Sequence, residues 1–176
     1  MKRAILICAI AAMLQPRAAV AADLVVTKTV AVISDPVGSA APKSLPGAVA
    51  DYKVLFTNPL ANAAQPVRAI VVVDVLPANV ILRVTDLAGP GMGPVEFVDG
   101  NLLGLGLGSS GLTCGFTSLS SITDCIEFST DGTTWSYVPV PDADGYDANV
   151  RAIRVKPVTT FSTTGSFQLR YRVKIK

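Results

Sequence analysis

Residues 167–176 read FQLRYRVKIK. Phe167, Leu169, Tyr171, Val173 and Ile175 fall on one side of an extended chain, and Gln168, Arg170, Arg172, Lys174 and Lys176 fall on the other. A period of two, unbroken over the whole stretch, predicts an antiparallel strand with one face on a core and the other in water. Working back from it, residues 150–156, 135–140, 122–129 and 112–119 carry further strand-like runs. Residues 24–33 (LVVTKTVAVI), 48–58 (AVADYKVLFTN), 67–76 (VRAIVVVDVL) and 79–84 add four more. Pro46-Gly47 and Pro77-Ala78-Asn79 punctuate them as turns. A parallel sheet would need crossover helices, and no segment has helical spacing of its apolar residues. The expected fold is all-β, an antiparallel sandwich of about nine or ten strands.

Composition bounds the function. The chain has 176 residues, 50% of them hydrophobic and 16% charged, with 14 Gly, 12 Pro, 3 Cys and no His. That length suits a single domain with a self-sufficient core. The absence of His excludes Ser-His-Asp and Cys-His catalysis and any His-ligated metal site. The weak net charge excludes a nucleic-acid binder that works through a basic surface.

The N-terminus reads as an export signal. Lys2 and Arg3 precede an eleven-residue apolar run, AILICAIAAML, too short to cross a bilayer about 30 Å thick. Small residues follow, with cleavage expected after Ala21 or Ala22. Residues 1–22 are therefore assigned to a signal peptide and residues 23–176 to one domain. No second long apolar run follows, so no transmembrane segment is expected in the mature chain. Without the leader the bases number twelve against thirteen acids, and Cys114 and Cys125 are the only cysteines. An even count in an exported chain reads as a disulfide. The two cysteines flank a turn as if in a hairpin, but Ile122, Ile126 and Phe128 would then face away from Cys125, so a bulge or irregular turn is expected between them. Residues 89–111 hold much of the glycine and are read as a long loop whose leucines, Leu102, Leu103, Leu105 and Leu107, need cover.

GAVADYKVLFTN followed by VVVDVLPANV resembles the bacterial conserved-repeat surface domain, the eleventh numbered family of unknown function. The positions that carry the resemblance are Gly47, Tyr52, Asn58, Asp74, Leu76 and Pro77, within about residues 24–84. It implies an Ig-like β-sandwich on an exported, often cell-surface protein.

Candidate chemistry is sparse. PDADGYD places Asp142, Asp144 and Asp147 around Gly145, and three carboxylates on a tight loop suit a hard cation, so calcium is the candidate cofactor. The competing reading is a solvated turn. STDGTTW, residues 129–135, resembles the Asp-box hairpin of sugar-cleaving propellers but is one residue short, and an Asp-Gly turn accounts for it. Trp135, Tyr137 and Tyr146 offer aromatic faces for a glycan, or for packing. No two carboxylates are singled out for acid-base work, and the expectation is that the protein is not an enzyme.

Charge is segregated along the chain. Nine acids and no base lie between Val84 and Val150, and seven bases and no acid lie from Arg151 to Lys176. Either the two sets neutralise each other within one sandwich, or they form opposed surfaces that join subunits. On the second reading Arg170, Arg172, Lys174 and Lys176 are a self-association strand, and an open sheet edge adds pairing between copies. The resulting expectation is a secreted, non-enzymatic structural protein that self-associates into an extracellular filament or surface layer. The alternative is a monomeric cell-surface adhesion or glycan-binding module that depends on calcium. Both place the protein outside the cell or in the periplasm, with a copy of itself or a surface glycan or protein as partner.

Overall fold

The computed structural model describes residues 21–100 and 108–176. Residues 1–20, which hold most of the expected signal peptide, and residues 101–107, which hold the four leucines of the glycine-rich stretch, lie outside it. Eleven strands occur among the described residues: β1 (Val25–Ser34), β2 (Val49–Thr57), β3 (Val67–Arg68), β4 (Val72–Val75), β5 (Val80–Arg83), β6 (Val95–Asp99), β7 (Ile126–Ser129), β8 (Tyr146–Asp147), β9 (Ala152–Val155), β10 (Thr160–Phe161) and β11 (Ser166–Ile175). One 3-10 turn, Leu60–Asn62, is the only helical element among them. No helix among the described residues is long and apolar enough to cross a membrane.

The strands make an Ig-like antiparallel β-sandwich. The larger sheet runs β1-β2-β11, and β11 then pairs on its far side with β6 over its first half and β5 over its second; β8 follows β5. The facing sheet is β4-β9-β7. A short β3–β10 pair closes one end. The strand with perfect alternation is thus the central strand of the larger sheet, which is why its pattern is so clean: neighbours on both sides hold its register, and only its faces differ. Phe167, Leu169, Tyr171 and Val173 point into the core and are buried. Phe167 stacks on Phe56 (4.7 Å between ring centroids) and Phe97 (5.3 Å), and Tyr171 stacks on Tyr52 (5.3 Å). From the facing sheet Ile126, Phe128, Ile153 and Val155 complete the core.

Several strand expectations need correction. The run 67–76 is not one strand: Ala69 adopts φ 53°, and the break lets residues 67–68 join β10 while residues 72–75 join β9. Within the glycine-rich stretch, Val95–Asp99 is a strand, because its backbone completes the free side of β11. Residues 112–119 are not a strand: Thr113 bridges to Val158, Leu112 is buried in the core, and the Gly115 carbonyl accepts the Cys125 N–H. Residues 135–140 likewise keep one bridge, Tyr137 to Phe128.

The expected irregularity around the disulfide is present. Cys114 and Cys125 are bonded, with Cα atoms 5.3 Å apart. The chain between them is gathered by Asp124, whose carboxylate accepts from the N–H of Thr117 and Ser118 and from the Ser121 hydroxyl. Those bonds outweigh the cost of burial and hold the Asp124 carboxyl below its usual pKa range. Ile122 projects into solvent instead of joining either face.

Candidate functional site

The residues singled out in sequence have definite, structural duties. On the outer face of the larger sheet, Asp51 of β2 accepts from Arg172 Nε (2.7 Å), Arg172 Nη2 (3.1 Å) and Arg170 Nη1 (2.9 Å). Arg170 also donates to Glu96 of β6, and Lys174 reaches Asp144 at 3.0 Å. Lys176 donates to the Ala78 carbonyl. In the facing sheet, Arg154 of β9 and Lys156 just beyond it share Glu127 of β7. The basic strand is therefore neutralised inside its own sandwich, and the opposed-surface reading of Arg170, Arg172, Lys174 and Lys176 is corrected: β11 is central, and its cations already have partners. Reversing those charges would attack the fold, not a contact between subunits.

Asp142, Asp144 and Asp147 do not converge. Asp142 Oδ1 accepts the N–H of Asp144 and Tyr146, which holds its carboxyl low and shapes the turn at Gly145 (φ 85°). Asp144 turns to Lys174. Asp147 is buried and accepts from the Tyr137 hydroxyl and the Val140 N–H. No group of three metal-ligating side chains occurs among the described residues. Tyr146 is buried beneath the Lys174 ammonium (4.4 Å to the ring centroid), and Trp135 covers the Arg154 guanidinium (4.5 Å). Tyr146 is thus taken up in packing, while Trp135 and Tyr137 both line one shallow surface pocket. Asp131 accepts from the N–H of Thr133 and Thr134 and from the Ser129 hydroxyl, which is the Asp-Gly turn expected there.

The positions that carry the family resemblance are likewise framework. Gly47 has φ 86° and donates its N–H to Ile175, so a side chain there would be strained. Asn58 is buried and donates to the Phe161 carbonyl, while its own Oδ1 accepts from Asn62. Asn62 in turn donates to the Ala22 carbonyl and accepts the Ala22 N–H, so the chain is pinned just ahead of β1.

The feature without a structural partner lies at one side of the sandwich. β1 pairs with β2 alone among the described residues, and β4 with β9 alone. Register places Val26, Lys28, Val30 and Val32 of β1 opposite Phe56, Val54, Tyr52 and Ala50, which face inward. Yet Val26 is 53% exposed and Val30 58%. The larger sheet thus overhangs the smaller by one strand, and no strand lies beside β4 to cover β1. Between them is an apolar cleft of about 350 Å³ whose floor is Val54, Phe56 and Ile70. Among the exposed large hydrophobic side chains, Val26 and Val30 of β1 face this cleft, while Val25 of β1 and Val73 and Val75 of β4 lie on the outward positions of the two sheets at the same edge. Exposed apolar side chains scattered singly need no explanation; Val26 and Val30 are set apart by facing the cleft together.

One polar network crosses the cleft. Lys28 Nζ lies 2.6 Å from Asp74 of β4 and 4.9 Å from the centroid of the Tyr52 ring. The buried Tyr171 hydroxyl donates to Asp74 at 2.8 Å. Burial, and then the Asp74 charge, push the Tyr171 phenol well up, so it remains a donor. A lysine on an edge strand ordinarily blocks pairing because its ammonium demands water. Here the ammonium is folded inward onto Asp74, and the edge is left uncharged.

Sequence reading found β1 as a strand and missed its exposure. The available signal was that VVTKTVAVI lacks polar alternation, which suits burial on both faces or an edge that awaits a partner. The site is thus that of an Ig-like sandwich with an open edge, the cations Lys28, Arg154, Lys156, Arg170, Arg172 and Lys174 being paired within the fold. No family model matches the chain, and no curated protein or solved structure matches it.

Proposed function

We propose that this is an exported, non-enzymatic structural protein that self-associates through the open side of its sandwich. The observation that carries the reading is the ten-residue edge strand β1, exposed along its length, unpaired on one side among the described residues, and carrying Lys28 as its one charged side chain. The carboxylates support a structural role in another way: Asp51, Glu96, Asp99, Asp124, Glu127, Asp142 and Asp147 are each bound to a guanidinium, ammonium, hydroxyl or backbone N–H of the framework. Export rests on the leader-like residues 1–22, and the bonds from Asn62 to Ala22 favour cleavage after Ala21, which would place the new α-amino group on Asn62 Oδ1. An intact mass of the secreted protein beginning at Ala22 supports that route, and retention of the leader opposes it. Assembly is tested by light scattering and negative-stain microscopy of the purified mature chain over a hundredfold range of concentration. Growth from monomer to a defined oligomer, sheet or filament is expected. A monomer throughout would refute the reading.

A further inference from the structure

Resting on that self-associating reading, we infer that two copies pair β1 to β1, antiparallel, about a two-fold axis that passes through Thr29. In an antiparallel pair, residues directly opposite each other point to the same face, so a two-fold axis normal to the sheet must set one residue against itself. The regular part of β1 runs from Val25 to Val32, with the register to β2 shifting between Val32 and Ser34. Its midpoint therefore allows an axis at residue 28 or 29. An axis at 28 would set Lys28 against the partner's Lys28, which like-charge repulsion disfavours. An axis at 29 sets Thr29 on Thr29, Lys28 on Val30, Thr27 on Ala31, Val26 on Val32 and Val25 on Ile33. Every pair is then apolar, threonine, or a lysine already held by its own Asp74.

Two further observations favour a second copy over another partner. Lys28 is paired with Asp74 within its own subunit, so the edge offers little net charge to a charged ligand, and the Thr29 axis keeps the two Lys28 side chains from lying directly opposite each other. The side chains left half-covered on the inner face, Val26 and Val30, fall in this register beside the partner's Val32 and Lys28 stem, and the two apolar clefts become neighbours. Nine paired residues, 25–33, at about 3.4 Å each give an edge about 31 Å long, which across a sheet about 10 Å thick covers roughly 310 Å² in projection on each copy. Both copies together, at roughly 600 Å², fall below the usual range for a specific interface, so the dimer is expected to be weak and concentration-dependent.

The test uses single cysteine variants of the mature chain, with the Cys114–Cys125 bond intact and mild oxidation. Opposed residues in an antiparallel pair have Cα atoms about 4.5–5.5 Å apart, within disulfide range. Thr29→Cys is expected to form covalent dimers alone. Thr27→Cys and Ala31→Cys are expected to cross-link when mixed and not when alone. Val30→Lys, which sets a second ammonium against the partner's Lys28, is expected to weaken association at least tenfold while the melting curve at low concentration stays as in the parent. Association that persists with cross-links centred elsewhere would overturn the Thr29 register and leave self-association standing. A chain that stays monomeric and forms no cross-links would overturn both.

Discussion

Asp51→Asn is the sharpest probe of how this fold holds its charges. Asp51 sits on the outer face of the larger sheet, 8% exposed at its side chain, beneath two guanidiniums that are 21% and 26% exposed. Three hydrogen bonds converge on its two oxygens. Asparagine keeps one acceptor and loses the charge. Arg170 retains Glu96, but Arg172 has no other carboxylate partner among its contacts in the described residues. A hydrogen bond to a charged group contributes about 1.5–3 kcal/mol when little exposed, and partial solvation of the arginines reduces the return. The expected loss is about 2 kcal/mol, or roughly 4–8 °C in Tm for a chain of this length. Burial raises the Asp51 pKa, but the hydrogen bonds and charges of Arg172 and Arg170 outweigh it and hold the carboxyl below its ordinary value. A folded pKa below the unfolded value of about 3.9 gives stability that is present above that value and is lost as pH falls through the folded pKa. Urea unfolding of parent and variant at a series of pH values reads this directly. The difference should be constant from pH 7 to pH 5, then shrink below about pH 4. A difference under about 0.5 kcal/mol at neutral pH, or one that does not shrink in acid, would refute the clamp.

Other positions give equally definite outcomes. Gly165→Ala would place a methyl 2.6 Å from the Ser109 carbonyl oxygen and 2.8 Å from that of Ser162, both backbone atoms, and should cost about 3 kcal/mol in thermal or chemical unfolding. Asn62→Leu strips an acceptor from the Ala22 N–H and a donor from buried Asn58, and should cost about 2 kcal/mol and speed hydrogen exchange at the start of β1. Chelation or millimolar calcium should leave Tm unshifted in both the parent and Asp144→Ala, because the bonds made by Asp142 and Asp147 hold the three carboxylates apart; a calcium-dependent rise abolished by Asp144→Ala would show that the loop rearranges to bind.

What was legible in the sequence follows from how local each cause is. The strand 166–175 could be read because its period-two pattern answers to a single sheet with a wet face and a dry face. Val25–Ser34 could be read as a strand from its β-branched residues, but not as an uncovered one, since exposure depends on how many strands the facing sheet contains. Val67 to Val75 looks continuous, and only the positive φ of Ala69 divides it between two sheets. Val95–Asp99 lay hidden among glycines because the reason it is extended is a free flank of β11, seventy residues away. The loop from Cys114 to Cys125 depends on one carboxylate, Asp124, and no hydrophobic period records that.

The charge pattern misled for the same reason. Read along the chain, an acidic middle and a basic end look like two surfaces. Folding runs β11 between β2 and β6, so that Arg170 and Arg172 meet Asp51, 119 and 121 residues earlier and outside the acidic block altogether, while Glu96 and Asp144 supply the remainder. Segregation in sequence is thus what neighbouring antiparallel strands require if opposite charges are to lie side by side. With Lys28 held by Asp74, β1 offers aliphatic side chains, threonines and unpaired backbone at the open side. A contact built from these is set by register and shape and not by long-range attraction. Salt should therefore have little effect on self-association, while one added charge on β1 should have a large one.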